Sequence, residues 1–276
     1  MNDLARAEAD LGAATRLSGR RSVTIAVARV LFLVLLLAVW QGAVAVGLAD
    51  RAFISTPASI AQSLWDLLSG GELIPNLATT LLEIMIAFVA SAMLGIASAV
   101  VLDRNDWLNR ILSPFLTAFN SMPRIALGPL FILWFGIGIA SKVVLAFSLG
   151  YFIMLLSTLG GLKNVDRDLL LMSRLFGASD LRLFRDVRLP WALPSIFAGL
   201  RLTLIYCSAG AVIGEMIAAR SGLGLLVQTF SGRFDVAGVM ALILVVAIMV
   251  MALTSLMDLS ERRLLAWSKG STDVPG

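Results

Sequence analysis

The segment RLFGASDLRLFRDVRLPWALP, Arg174–Pro194, separates two long apolar runs of the chain and is itself basic. Its apolar residues recur at helical spacing between charges of alternating sign, which is typical of short amphipathic helices at a membrane surface. Gly177 predicts the end of one short helix, because glycine readily takes the left-handed conformation found after helix C-termini. Ser179 or Asp180 can cap the next helix. Two Leu-Pro pairs are then expected to break the chain, since proline lacks the amide donor.

The composition of the chain indicates an integral membrane protein. Of its 276 residues, 59% are hydrophobic and 14% are charged, and the mean hydropathy is +0.91. Soluble domains contain about 25% charged residues. The sequence has no histidine and one cysteine, Cys207, which excludes an internal disulfide and histidine-based metal or proton-relay chemistry. The net charge of +4 is too small to indicate nucleic-acid binding, and it fits basic loops beside a membrane.

Apolar runs long enough to cross a bilayer as a helix, about 20 residues each, occur six times. Two of these runs are interrupted by charges: Arg124 lies within one, and Arg201 and Glu215 lie within another. The sequence therefore predicts an all-α integral membrane protein with six transmembrane helices. The six runs are Val30–Ala49, Ile84–Leu102, Ile111–Ser141, Val143–Leu162, Leu189–Ala219 and Val236–Met257.

The distribution of positive charge among the loops predicts the orientation. With the N-terminus in the cytoplasm, most of the 22 lysines and arginines lie on the inner side, including those of Arg174–Pro194. The outer segments then carry only Arg51, Lys142, Arg220 and Arg233. Cytoplasmic loops of membrane proteins are enriched in lysine and arginine. Both termini are therefore predicted to be cytoplasmic.

The chain is expected to form one membrane domain with short tails. Residues 1–24 are predicted to be a cytoplasmic N-terminal tail, residues 25–267 the six-span domain, and residues 268–276 a C-terminal tail. A loop at about 163–195 contains the stretch Arg174–Pro194. Before the second span, Phe53–Leu82 is predicted to hold a short amphipathic helix on the outer face, opened by Thr56 and Pro57.

The segment Arg174–Pro194 contains half of a known signature. In the permease subunits of ABC importers the signature is Glu-Ala-Ala, three residues, Gly, nine residues, Ile, one residue, Leu-Pro. Here Gly177 is followed by nine residues and then by Val187, Arg188, Leu189 and Pro190. The segment thus resembles that signature in its spacing and its Leu-Pro pair. The Glu-Ala-Ala positions depart from it and read Leu171, Met172 and Ser173.

Three further stretches resemble the nitrate, taurine and aliphatic-sulfonate branch of these permeases. They are SMPRIALGPLFILWFGIGIASKVV (Ser121–Val144), LPSIFAGLRLTL (Leu193–Leu204) and GEMIAARSGLGLLV (Gly214–Val227). The resemblance covers the chain from about Phe53 to Trp267. It implies the type I ABC importer permease fold, a bacterial inner membrane, and a small anion such as a sulfonate, taurine or nitrate as the solute. Glu83 departs from the branch, whose members more often carry arginine there.

The same resemblance implies the partners and the residues that couple to them. The expected assembly contains a second permease copy, two ABC ATPase subunits and an external substrate-binding protein. The permease copies lie in a lipid membrane, and no nucleic-acid partner is expected. The chain has no Gly-Lys-Ser/Thr phosphate-binding loop, so it is not expected to bind or hydrolyse ATP, and ATP and Mg²⁺ belong to the partner ATPase. No catalytic residues, metal or cofactor are expected in the chain. The residues implied to couple to that ATPase are Ser173, Arg174, Phe176, Gly177, Ala178, Ser179, Asp180, Phe184, Arg185, Val187, Arg188, Leu189 and Pro190.

Three polar residues within the apolar runs are candidates for a translocation path or gate. Asn120 and Arg124 flank Met122-Pro123, where Arg124 either lines the path or lies at a helix break near the membrane surface. Glu215 has three candidate roles: pairing with Arg220, holding the glycine-rich turn that follows it, or gating a dimer interface. An ion- or proton-coupled secondary transporter is the alternative class of protein, and it would use Glu83 and Glu215.

Overall fold

A computed structural model of the chain describes residues 24–25, 27–47 and 53–264. The predicted tails, 1–24 and 268–276, lie outside these residues except for Thr24. Every regular element in the described ranges is helical. The helices are α1 (Val27–Ala45), α2 (Pro57–Ser69), α3 (Leu73–Arg104), α4 (Asp106–Ser121), α5 (Gly128–Phe135), α6 (Ile139–Lys163), α7 (Arg167–Leu175), α8 (Asp180–Leu183), α9 (Leu189–Ile217), α10 (Leu223–Gly232) and α11 (Val236–Leu264).

Five of the described helices are long and apolar enough to cross a membrane, and a bent pair would make a sixth span. The bent pair corresponds to the predicted run Ile111–Ser141, in which α4 and the helical stretch Arg124–Phe135 meet at 80°. The bend follows from Pro123, because a proline disfavours helical geometry in the residue before it. Met122 is accordingly extended, with φ −71° and ψ 138°. The helix break that was one of the two alternatives for Arg124 is therefore present, and the predicted run consists of two helices.

The second span is longer than its apolar run. Helix α3 begins at Leu73, not Ile84, and it includes Glu83. The helix expected within Phe53–Leu82 is α2, which ends at Ser69. The apolar pattern misses the first turns of α3 because they carry polar side chains whose hydrogen bonds are made within the fold.

The core consists of α3, α6 and α9, which approach one another through small residues. A Cβ atom on Gly95 of α3 would lie 2.7 Å from the Cβ of Met154 in α6. A Cβ on Gly150 of α6 would lie 2.9 Å from the Ser91 hydroxyl of α3 and 2.5 Å from the Cys207 sulfur of α9. Small residues permit this close packing between membrane helices. The three helices therefore form a tightly packed core.

The predicted chain break before the fifth span is wrong. Helix α9 runs on without interruption from Leu189, with Pro190 in its first turn and Pro194 inside it. A proline near the start of a helical stretch is tolerated, and here a change of hydrogen-bond register precedes it, because the Leu189 amide donates to Phe184 O, five residues back. A π-helical turn, Phe184–Arg188, joins α8 to α9. The stretch from α8 to the end of α9 is consequently one helical rod.

An ion-pair group joins α9 to α11. The Nη2 atom of Arg201 lies 2.5 Å from Asp258 Oδ1 and 2.6 Å from Glu261 Oε2. The charge of Arg201 inside a predicted apolar run is thereby paired, as charges in membrane helices generally are. The chain divides into two compact units between Leu64 and Trp65, and all the residues discussed below belong to the second unit.

Candidate functional site: a basic segment and a buried polar cluster

Residues 167–188, here called the basic segment, form a short helix pair with a glycine turn. Gly177 has φ +78°, and its amide donates to Arg174 O at 2.9 Å, while the Ala178 amide donates to Ser173 O at 3.1 Å. The Ser179 hydroxyl accepts from the Arg182 amide at 3.4 Å and caps α8. The predicted helix end and N-cap are confirmed.

The apolar residues of the basic segment divide into an inner and an outer set. Leu183 is 3% exposed, and Phe184 packs against a buried cluster formed by α6 and α9. Leu175 and Phe176 are each 86% exposed, and Leu181 is 67% exposed. One apolar face therefore seats the segment on the bundle, and a second apolar face is uncovered in this single chain.

The structure places the residues carried over from the signature on both sides of this division. The exposed members are Arg174, Phe176, Gly177, Ser179, Asp180 and Arg185. The half-buried members are Ser173, Ala178, Phe184, Val187, Arg188, Leu189 and Pro190. The signature positions thus include residues that pack the segment against the bundle and residues that are exposed on its outer surface.

Two consecutive residues at the end of α3 hold the basic segment. Arg188 Nη1 lies 3.0 Å from Asp103 Oδ2, and the Asp103 side chain is only 5% exposed. The guanidinium of Arg104 lies 4.6 Å from the centre of the Phe184 ring, within the range of a cation–π contact. Arg185, in contrast, is exposed and has no ion pair within the described part of the chain. The charges of Arg185 and Arg188 therefore face different surroundings.

A buried polar cluster lies at the opposite ends of α3 and α9. Glu215 in α9 is fully buried. Its Oε1 accepts from the Thr80 hydroxyl of α3 at 2.7 Å, and its Oε2 accepts from the Gly224 amide at 2.7 Å. Thr80 Oγ1 in turn accepts from the Leu223 amide at 2.8 Å. Of the roles predicted for Glu215, the structure shows that it holds the glycine-rich turn.

The start of α10 has no room for larger residues beside this carboxylate. The Gly222 amide donates to Asn76 Oδ1 at 2.6 Å, so three successive amides of the turn bind side chains of α3 or α9. A Cβ atom on Gly222 would overlap the Glu215 carboxylate. Gly222 has φ +121° and ψ 161°, a conformation that is essentially restricted to glycine. Helix α10 is therefore anchored at its first residues to both α3 and α9.

Two further charged residues adjoin the cluster. Glu83 is 2% exposed and lies beside Glu215, and its Oε2 atom is buried without a hydrogen-bond partner among the described residues. Lys142 is 2% exposed, interacts with both carboxylates, and donates through Nζ to Ile137 O and to Gly138 O, the latter at 3.0 Å. Two acidic groups and one basic group are thus buried together.

Arg124 and Asn120 meet at the bend between α4 and α5. Arg124 Nη2 donates to Asn120 Oδ1 at 2.7 Å, and its guanidinium lies 4.4 Å from the centre of the Phe152 ring. Among the described contacts, none joins either residue to Glu215. The three predicted pathway residues therefore lie at two separate sites, with Asn120 and Arg124 at the bend and Glu215 in the buried polar cluster.

Sequence reasoning missed several residues of these sites. Lys142, predicted in a short outer segment between two spans, lies in the first turn of α6 and is buried, and its ammonium group donates to carbonyls of the preceding turn. Asp103 directly follows the apolar run Ile84–Leu102, and no pattern in the sequence indicates its partner. For Thr80 and Asn76 a signal existed: together with Glu83 they form a polar stripe at helical spacing next to an apolar run.

The helices and the projecting segment define a multi-pass membrane protein of the solute-transport class. The chain belongs to the family of binding-protein-dependent transport system inner membrane components, which matches residues 91–266. It is thus an inner-membrane permease subunit of an ABC importer, and its fold is that of the type I permeases. The predicted family and fold class are confirmed.

Relatives of the chain are named for different solutes. It is 34% identical over 235 residues to the riboflavin transport system permease protein RibX of Chloroflexus aurantiacus, covering 85% of this chain and 88% of the relative. It is 32% identical to the putative aliphatic sulfonates transport permease protein SsuC of Escherichia coli, covering 84% and 89%. The taurine transport system permease protein TauC of Escherichia coli is 31% identical, with 90% of each covered.

Solved structures of amino-acid ABC transporters share the fold. An amino acid ABC transporter, solved with histidines, superimposes with a TM-score of 0.60 at 17% identity, covering 72% of this chain and 97% of the other. An inward-facing form of the MetNI methionine ABC transporter superimposes with a TM-score of 0.58 at 22% identity, covering 70% and 94%. At these identities the likeness concerns the fold alone.

Proposed function

We propose that this chain moves a small anion into the cytoplasm, driven by ATP hydrolysis on two partner subunits that dock on the basic segment. The observation that carries the proposal is the exposure of Leu175 and Phe176 beside arginines, at the end of the short helix α7 and not on a membrane-spanning helix. Burying a large apolar side chain contributes about 1.5–3 kcal/mol. A soluble ATPase surface that covers both residues would gain that energy and would be held at the end of the α8–α9 rod.

The orientation proposed from the basic loops agrees with this docking. The basic segment and the last turn of α11, which holds Arg262 and Arg263, lie at the cytoplasmic side, where ATP is available. The termini are then cytoplasmic, and the buried polar cluster lies toward the outer side. An external binding protein would deliver the solute to that side.

A second copy of the chain is the proposed partner within the membrane. Helix α4 has no buried residue, and its large side chains Trp107, Phe115 and Phe119 are 72%, 58% and 55% exposed. On α5, Trp134 is 62% exposed. A homodimer that buries part of this surface would place the translocation path between the two copies. ATP-driven closure of the ATPases would open the path outward, and hydrolysis would reset it inward.

The proposed class of solute is a sulfonate- or taurine-like anion. Its support is Arg124, which lies at the helix bend and pairs with no carboxylate within 4 Å among the described residues. A guanidinium can bind an anionic oxygen group through charge-assisted hydrogen bonds. The names of the sulfonate and taurine permeases agree with this proposal, whereas that of the riboflavin permease indicates that the branch also includes carriers of larger solutes.

The test of the assembly is a tagged pull-down from native membranes in mild detergent, with mass spectrometry of the co-purifying proteins. We expect a stoichiometric ABC ATPase to co-purify with the wild-type chain and to be lost with Gly177→Val. Gly177→Asn is the matched control, because asparagine also occurs in this helix-ending conformation. A chain that purifies alone across several detergents would contradict the proposal and would favour an ion- or proton-coupled transporter.

A further inference from the structure

The basic segment follows α6 after residues 164–166, and Phe184 packs on α6 and α9. Two further routes attach it to the bundle. The first is covalent, since α8, the π-helical turn and α9 form one continuous rod. The second is the contact with α3, where Asp103 binds Arg188 and Arg104 covers Phe184. Among the described side chains, the Asp103–Arg188 ion pair is the one hydrogen bond that joins the basic segment to a helix outside that rod.

The second attachment connects the basic segment, through α3, to the buried polar cluster at the other end of that helix. Helix α3 rises about 30 Å between Asp103 and Glu83. At its other end, Thr80 binds Glu215 of α9 and the Leu223 amide of α10. Both α3 and α9 thus join the basic segment at one end and the first residues of α10 at the other. Their shared packing against α6 makes these helices respond together to a displacement.

We propose that Asp103 and Arg104 are positioning residues that clamp the basic segment to α3, so that movement imposed on the segment reaches α10 through α3 and α9 together. This inference rests on the proposed coupling function. With the clamp released, the segment still binds an ATPase through Leu175 and Phe176, but its movement reaches α3 only indirectly, through the packing of α3 against α6 and α9. ATP would then be hydrolysed without the full displacement of α10 at the outer side.

The partly buried ion pair is suited to this role. The Asp103 carboxylate is almost fully buried, while 28% of the Arg188 side chain is exposed. Removing one partner of such a pair leaves the other charge without compensation in a poorly solvated place. The pair therefore resists separation when the segment is pushed. The Arg104–Phe184 contact adds a second point of attachment four residues earlier in the π-helical turn.

The test compares Asp103→Asn with Asp106→Asn, a matched change at an exposed aspartate that lines the same cleft. In the isolated chain in lipid nanodiscs, we expect Asp103→Asn to raise amide exchange across 176–188 by about tenfold, and Asp106→Asn to leave it unchanged. In the complex reconstituted with its ATPases, we expect Asp103→Asn to lower transport per ATP hydrolysed by about tenfold, a size typical of coupling between sites. Assembly should be retained.

The charge swap Asp103→Arg with Arg188→Asp should restore both measurements toward wild type. Equal exchange and equal transport per ATP in Asp103→Asn and Asp106→Asn would overturn the inference, as would a swap no better than Asp103→Arg alone. If the wild-type complex fails to transport with ATP, the proposed function is wrong, while the exchange measurement still decides whether the clamp exists.

Discussion

Thr80 and Glu215 lie 135 residues apart in sequence and are joined by a buried hydrogen bond of 2.7 Å between Oγ1 and Oε1. The same hydroxyl accepts from the first amide of α10. One side chain of α3 therefore connects the end of α9 to the start of α10, and replacing it should loosen that end of the bundle.

Thr80→Val keeps the shape of the side chain and removes both hydrogen bonds. It leaves a buried carboxylate oxygen and a buried amide without this partner, which we expect to cost about 3 kcal/mol. The measurement is the midpoint of thermal unfolding in detergent. Thr79→Val is the control, because the Thr79 hydroxyl donates to Pro75 O of its own helix and to no other helix among those described. Equal midpoints for the two variants would show that the cluster does not stabilise the fold.

Gly222→Ala should destabilise the turn before α10. The added methyl would overlap the Glu215 carboxylate, and the backbone conformation alone costs an alanine about 1–3 kcal/mol. We expect a lower yield of folded protein in the membrane and faster proteolysis near 222. Gly232→Ala, at the other end of α10, has open space around the added atom. Similar behaviour of both variants would contradict the described packing.

Arg185→Glu and Arg188→Glu are both expected to reduce the amount of co-purified ATPase, but for different reasons. Arg185 is exposed, so reversing its charge should weaken ATPase binding in a manner that depends on salt. Arg188→Glu places a like charge against Asp103, and Asp103→Arg should rescue it. Co-purified ATPase, measured at low and physiological salt, separates the two. Rescue of Arg185→Glu by Asp103→Arg would refute this distinction.

Arg124→Gln should reduce transport of a sulfonate by about tenfold or more, because a charge-assisted hydrogen bond contributes about 1.5–3 kcal/mol. Uptake at several concentrations of taurine, with the binding protein present, provides the measurement. Arg220→Gln removes an equal charge at an exposed position and is expected to transport normally. Unchanged taurine uptake with Arg124→Gln would show that the solute's anionic group does not meet this residue.

The parts of the fold that local chemistry determines could be predicted from the sequence. Gly177 ends α7 because glycine readily takes the left-handed conformation that follows a helix. Ser179 caps α8 because a serine hydroxyl can accept from an amide of the first turn. The apolar runs locate the spans because a bilayer requires them. The chain break expected at Pro190 and Pro194 was wrong, since helix α9 satisfies its remaining amides around both prolines.

The polar sites could not be predicted, because they depend on which helices meet. Lys142 and Asp103 resemble interfacial charges in sequence, and only packing shows that Lys142 adjoins two carboxylates and that Asp103 binds Arg188. The bend after Ser121 was visible in Met122-Pro123, but its 80° angle depends on the tertiary structure. The coupling role of the basic segment stays a prediction.

The most direct test of the central claim is solute uptake into vesicles that contain the chain and its co-purified ATPases, with ATP enclosed in the lumen on the cytoplasmic side of the complex. The account predicts uptake of taurine or a related sulfonate that requires both enclosed ATP and the external binding protein, and that Gly177→Val abolishes. Uptake that proceeds without ATP and follows an imposed proton or sodium gradient would contradict it.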